Sequence, residues 1–313
     1  MNTLFFLYEI MPIKLNSKIP AYDELKKEWV FVMSDDRAEH QRIRPIRIGI
    51  LNIMPRKIET ETQILRMIWS GPLQIDPVFI KTASYNPKNT NKSHLDFFYK
   101  DFLDVMKTWL DGFIITGAPV EKLDFEDVIY WKELTEIMDI LKEKVSSTLF
   151  LCWGAQAWLY HYYWIQKHLV SEKIFGIFNH KNENYNHPLF RGIDDEFWCP
   201  HARHTEVLEE DINEVDDLDI LVRSGEAWIH IVANRDASMV FVMGHPEYDR
   251  NTLYNEYLRD QSKWECIDLP KNYFENDDTS KPPKLLWRSN AETFFRNWVN
   301  EVYQKTPYEL ETL

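Results

Sequence analysis

Apolar positions in this chain follow two periods. Short, nearly continuous apolar runs read as strands buried on both faces: Ile46-Arg47-Ile48-Gly49-Ile50-Leu51-Asn52-Ile53, residues 73–80, Phe113-Ile114-Ile115-Thr116, Ser147–Leu151 and residues 239–243. Helical periods lie between them. Ile64, Leu65 and Ile68 mark one over 58–69, and Leu134, Ile137, Met138 and Leu141 mark a second. Residues 154–164 form a third, and 291–303 a closing amphipathic helix. Pro55-Arg56-Lys57 and Gly117-Ala118-Pro119 break the chain after the first and third strands. This alternation predicts βαβ units, a mainly parallel sheet and a doubly wound α/β fold. Residues 1–45 are mixed and polar, with a short helix near 21–28, and read as an N-terminal arm. The remainder, 46–313, reads as a single α/β domain with a C-terminal extension. Residues 268–283, rich in Pro and Asp, read as a surface loop.

In open α/β sheets, sites form where strands end at their carboxyl edges. Lys57, Glu121, Cys152, His245 and Glu247 all fall there. Cys152 closes a strand and is followed, after Trp153, by Gly154 and Ala155, small residues of the kind a nucleophile elbow needs as its helix opens. A thiol at a helix N-terminus is favoured as thiolate, and backbone N–H groups there can hold an oxyanion. His245 and Glu247 lie two apart, so in extended chain both face one way; the carboxylate can fix the imidazole tautomer while the ring moves protons. Acyl transfer or amide hydrolysis is the chemistry implied.

Bulk properties narrow the class. With 313 residues, 44% hydrophobic and 27% charged, the chain can build a sizeable core. A formal charge of −14 excludes sequence-independent nucleic-acid binding. Three scattered cysteines without a C-x-x-C pair exclude a disulfide framework and point to a reducing, cytoplasmic setting. No run is long enough to cross a bilayer, and the first ten residues lack a signal-peptide pattern. His201 and His204 are spaced for one helical face, with His161, His180 and His187 elsewhere. No H-E-x-x-H or paired-cysteine pattern supports a metal site, and no phosphate or dinucleotide loop is present, so neither metal nor cofactor is expected.

From about residue 11 to 308 the chain resembles the homoserine O-succinyltransferase/O-acetyltransferase family of methionine biosynthesis. Its blocks are Leu51-Asn52-Ile53-Met54-Pro55, Lys57-Ile58-Glu59-Thr60-Glu61, Ile115-Thr116-Gly117-Ala118-Pro119-Val120-Glu121, Cys152-Trp153-Gly154-Ala155-Gln156, Gly244-His245-Pro246-Glu247-Tyr248-Asp249 and Thr306-Pro307-Tyr308. The resemblance implies a class I glutamine amidotransferase-like (flavodoxin-like) core, a homodimer, and a ping-pong reaction between acetyl-CoA, as co-substrate, and L-homoserine. It implies Cys152 as acyl carrier, with His245 and Glu247 completing the catalytic set. Lys173, Ala202 and Arg259 match substrate-binding positions, and Lys57 and Trp153 the acyl-CoA and oxyanion region. Glu121 matches the position that sorts acyl donors: a glutamate fills the space and repels a second carboxylate, which favours acetyl over succinyl. The other readings are a succinyltransferase, an amidotransferase-like hydrolase, for which Phe150 replaces the usual elbow glycine, and a catalytically silent binding protein of the same fold.

The chain departs from the family pattern in places. Ala202 stands where members usually carry a substrate-contacting serine, and Asn290 where they carry histidine. Glycine is scarce, 9 residues, while tryptophan reaches 12. Trp69, Trp158, Trp164, Trp228 and Trp264 stand where family members typically have glycine. This pattern fits either UGA codons that the source organism reads as glycine or a diverged chain that has repacked around the added bulk, which is hardest to place at Trp158 behind the thiol. The first ten residues precede the usual family start and fit an upstream extension.

Overall fold

The computed structural model describes residues 13–34, 44–69, 71–85, 89–263 and 267–307. Trp264, Cys266, Tyr308 and the first ten residues lie outside the described residues. The chain enters through β1 (Ile13–Leu15), α1 (Pro20–Lys27) and β2 (Val32–Ser34), followed by β3 (Ile46–Leu51), α2 (Lys57–Ile68), β4 (Ile75–Lys81), α3 (Lys92–Phe98), β5 (Lys100–Asp101) and α4 (Phe102–Val105). Next come β6 (Gly112–Ile115), α5 (Trp131–Lys144), β7 (Ser147–Leu151) and α6 (Trp153–Tyr163). The second half runs β8 (His168–Asn182), β9 (Glu196–Glu206), α7 (Glu209–Asn213), β10 (Leu218–Ser224), β11 (Trp228–Asn234), β12 (Met239–Val242), α8 (Thr252–Ser262) and α9 (Arg288–Lys305).

All strands join one sheet in the order β2-β1-β4-β3-β6-β7-β12-β11-β10-β8-β9, with β5 added beside β4. From β2 through β12 the pairs are parallel. The remaining strands pair antiparallel. The parallel strands are the apolar runs: β6 and β7 are buried at every position, as helices on both faces require. One apolar layer packs Ile48, Ile50 and Ile114 with α2 and α9, and a second packs Phe113, Ile115 and Phe150 with α5 and α6.

Two regions differ from the sequence expectation. Within the stretch read as an arm, β1 pairs with β4, and Ile13, Leu15 and Leu25 enter the first layer. Three-residue strands carry too few alternations to register in a sequence window. The antiparallel β8–β11 extension was also not foreseen, because polar and charged residues such as Lys173, His180, Arg203 and His230 interrupt the apolar positions of its strands.

Tryptophan geometry splits into two kinds. Trp164, the C-cap of α6, has φ +59°, and Trp228 has φ +52°, both in the left-handed region that favours glycine. Trp29, just past α1, joins them at φ +63°. Trp69 ends α2 in an ordinary helical conformation. Trp158 is fully buried, with ring centroids 4.3 Å from Phe150 and 4.7 Å from Tyr162, and its indole N–H is 3.0 Å from Met239 Sδ. The bulk that the sequence marked as difficult there is absorbed by an aromatic layer.

Candidate active site

β7 delivers Cys152 to the carboxyl edge of the sheet, and its backbone turns there with φ +48° and ψ −116° before α6 begins. A non-glycine residue holds that conformation only where its surroundings over-determine it. Here the Cys152 N–H is anchored 2.7 Å from the Val242 carbonyl of the neighbouring strand. Two of the three motif glycines make room here. A Cβ on Gly154 would sit 2.8 Å from the Thr116 carbonyl, and one on Gly117 3.2 Å from Cys152 Cβ. The Cys152 carbonyl caps the first turn of α6 by accepting from the Ala155 N–H at 3.0 Å and the Gln156 N–H at 3.2 Å.

β12 delivers His245. Its Nδ1 lies 2.7 Å from Glu247 Oε1, and its ring shares the cavity wall with Cys152 beside Gly117. Burial alone would lower the imidazole's proton affinity, but the Cys152 and Glu247 charges and hydrogen bonds overcome it, so His245 is held well above its ordinary value. Tyr248 stacks on the imidazole, centroids 4.1 Å apart and 16° off parallel, and donates through its hydroxyl to Glu256 Oε1 at 2.8 Å. Imidazole and carboxylate are therefore joined, and the thiol is buried beside them.

A cavity of about 440 Å³ opens above Cys152 and His245. Glu121, Lys173, Ala202 and Arg259 line it, so six of the nine residues named from sequence share one space. Glu247 stands behind His245. Trp153 contributes only backbone, since its indole is buried against Phe125 and Tyr130. Lys57 is inside the protein beside the site: its ammonium donates to the Asn52 carbonyl and lies over the Tyr99 ring. Desolvation pulls its pKa down to about 8 against the pull of Glu61. Glu121 lies in a turn before α5 rather than on a helix; burial raises its pKa, opposed by a backbone hydrogen bond from His204 and by Lys173.

Asp260 organises the cationic side of the cavity. Its two oxygens take Lys173 Nζ at 3.1 Å and Arg259 Nε at 2.7 Å, from β8 and α8 respectively. Glu256 lies 3.9 Å from the same ammonium. The free edge of the guanidinium and the remaining ammonium protons suit a small carboxylate.

The family model of homoserine O-succinyltransferase matches residues 12–308. The chain belongs to this family. A homoserine O-acetyltransferase of Petrotoga mobilis is 51% identical over 97% of this chain and 98% of its own length. One from Clostridium beijerinckii is 52% identical over 97% of this chain and all of its own. Among solved structures, a glutamine amidotransferase of Thermotoga maritima superposes with a TM-score of 0.54 at 12% identity, covering 83% of this chain and 99% of its own. A glutamine amidotransferase of Methylobacillus flagellatus gives 0.51 at 10% identity, covering 85% of this chain and 98% of its own. The fold is thus α/β with a mainly parallel sheet, shared with glutamine amidotransferases.

Within this family member the histidines are arranged differently from the sequence reading. His201 and His204 lie on strand β9, not on a helix, so they face opposite ways; His201 is buried and His204 lines the cavity. His201 instead meets His180 and His230, with one ring nitrogen from each lying within 4.8 Å of the others. His180 Nδ1 faces the Phe178 carbonyl at 2.9 Å, leaving its Nε2 to accept from His201 Nε2 at 3.0 Å, and His201 Nδ1 accepts from Arg203 Nε at 3.3 Å. Burial pushes His180 down to about 3 and the other two well below their usual range. With the Arg203 guanidinium alongside, the donors fit a chain of neutral imidazoles better than a cation. Gly244 packs on this chain, where a Cβ would come within 2.8 Å of His201 Nε2. His245 is thereby seated directly on it. Sequence reasoning missed Asp260, Tyr248 and Glu256. Glu256, Arg259 and Asp260 share one face of α8 at helical spacing, a signal visible only once α8 is known to border the site.

Proposed function

We propose that this protein is a homoserine O-acetyltransferase that works through an acetyl-cysteine. The full-length similarity to homoserine O-acetyltransferases carries the substrate assignment, and the hydrogen-bonded His245 and Glu247, with Cys152 beside the imidazole in one cavity, support the mechanism. The Cys152 thiolate attacks the thioester carbonyl of acetyl-CoA. The resulting oxyanion is held by N–H groups at the start of α6, including that of Trp153, near Lys57. Collapse expels the CoA thiolate, which takes the proton from His245. The γ-hydroxyl of homoserine then loses its proton to His245 and attacks the acetyl carbon, and Cys152 leaves as thiolate. Lys173 and Arg259, tied through Asp260, hold the homoserine carboxylate. Ala202 offers no hydroxyl there, so these cations carry recognition. Glu121 faces the acyl space and disfavours a donor with a second carboxylate, because two like charges would share a desolvated cavity. The working unit is a homodimer in the cytoplasm and needs neither metal nor cofactor; no helix among the described residues is long and apolar enough to cross a membrane.

Peptide mass spectrometry after incubation with acetyl-CoA tests this. Cys152 gains an acetyl group, and added homoserine removes it. Discharge by water alone would instead favour the amidotransferase-like hydrolase. Absence of an adduct with either acetyl- or succinyl-CoA would point to a silent binding protein.

A further inference from the structure

A second cavity, of about 450 Å³, shares Pro55, Pro119, Val120 and Leu123 with the one above Cys152. It continues past Val128 and reaches the surface at Ile129, an isoleucine 77% exposed. None of Lys173, Arg259 or Asp260 lines it, so it is chemically separate from the amino-acid side of the site. Its charged residues are Lys57, Lys81 and Asp127, a local positive excess on a chain of formal charge −14. Lys81 is partly exposed and lies 3.6 Å from Asp96, a loose surface pair that an anion can displace.

We infer that this groove holds the pantetheine arm of the acyl-CoA donor, with Lys81 toward its phosphates. The inference rests on the proposed acetyl transfer. A thioester delivered to Cys152 must leave through a channel that begins at the thiol, and the groove begins in the wall the two cavities share. The arm is a long, largely saturated chain with two amides, and an apolar slot removes that carbon surface from water. The rigid prolines on the shared wall keep the slot open, so little ordering is required of the protein on binding. Exposed Ile129 and Leu123, 47% exposed, gain a function as the lip that covers the arm. Homoserine and the donor thus approach the same sulfur along walls of different chemistry, as a two-stage transfer permits.

The test compares two donors, acetyl-CoA and S-acetyl-N-acetylcysteamine, which keeps the thioester and loses the phosphates and most of the arm. Cys152 acetylation is followed for the full chain, for Ile129→Asp and for Lys81→Glu. Ile129 is exposed enough that the change threatens folding little. Each variant lowers the preference for acetyl-CoA over the truncated donor roughly tenfold, the effect of one unfavourable charge on a bound arm. Equal loss with both donors, or no change in the ratio, overturns the assignment. So does a shift in oligomeric state with the ratio intact, which would mean that a second copy covers the groove. Failure of the unaltered protein to acetylate Cys152 from either donor overturns the proposed reaction and this assignment together.

Discussion

Replacing Trp29, Trp164 and Trp228 with glycine should stabilise this protein. All three hold φ between +52° and +63°. For an L-residue with a side chain this left-handed backbone costs roughly 1–2 kcal/mol, because Cβ crowds the following carbonyl. Glycine removes that cost but gives back about 0.5–1 kcal/mol through its greater freedom in the unfolded chain. Burial offsets little: Trp29 is 91% exposed, Trp164 74% and Trp228 45%. Among the described residues, only Trp164 of the three has an aromatic neighbour, Tyr160, at 5.8 Å. The net gain is about 0.5–1 kcal/mol per site, and widely separated sites add, giving roughly 2 kcal/mol for the triple variant. In a chain of this size that raises the melting temperature by about 3 °C, readable by calorimetry or urea titration. Trp158→Gly is the contrast. It empties a filled aromatic layer and should cost at least about 3 kcal/mol. A triple variant less stable than the parent would refute the strain argument. Peptide masses from the native source decide the codon reading, because glycine masses are expected at 164 and 228 under UGA-to-glycine decoding.

Three further outcomes follow from the site. Asp260→Asn loosens Lys173 and Arg259 together, so KM for homoserine rises roughly tenfold, while the first burst of CoA release stays within about twofold; an equal loss in both half-reactions would mean general damage. Glu121→Gly admits succinyl-CoA as a donor in a direct acylation assay, and unchanged acetyl preference would sink the steric and charge argument. Lys57 has a folded pKa of about 8, below its unfolded value near 10.4, so between those values the unfolded chain binds more protons and stability rises with pH. Lys57→Met should flatten that slope in urea titrations from pH 7.5 to 9.5; an unchanged slope would show that another group titrates there.

Much of this molecule was written in local pattern. Buried parallel strands such as β6 and β7 must be apolar at every position, so their runs stood out, and the helices between them carried a 3.6-residue period. Sites at the carboxyl edge of such a sheet follow each strand directly, which made Cys152, His245, Glu247 and Glu121 legible one by one. Other features depend on which distant elements meet. Short β1 and β2, the antiparallel β8–β11 extension, the Asp260 bridge between β8 and α8, and the three-histidine chain beneath His245 all join residues tens to hundreds of positions apart. Periodicity and spacing report only on neighbours along the chain. The place of Cys152 at a strand end was therefore a property of the sequence, and its surroundings were decided by tertiary packing: the Asp260-bridged cations on one side, the apolar groove on the other, and the positive-φ turn at the thiol itself.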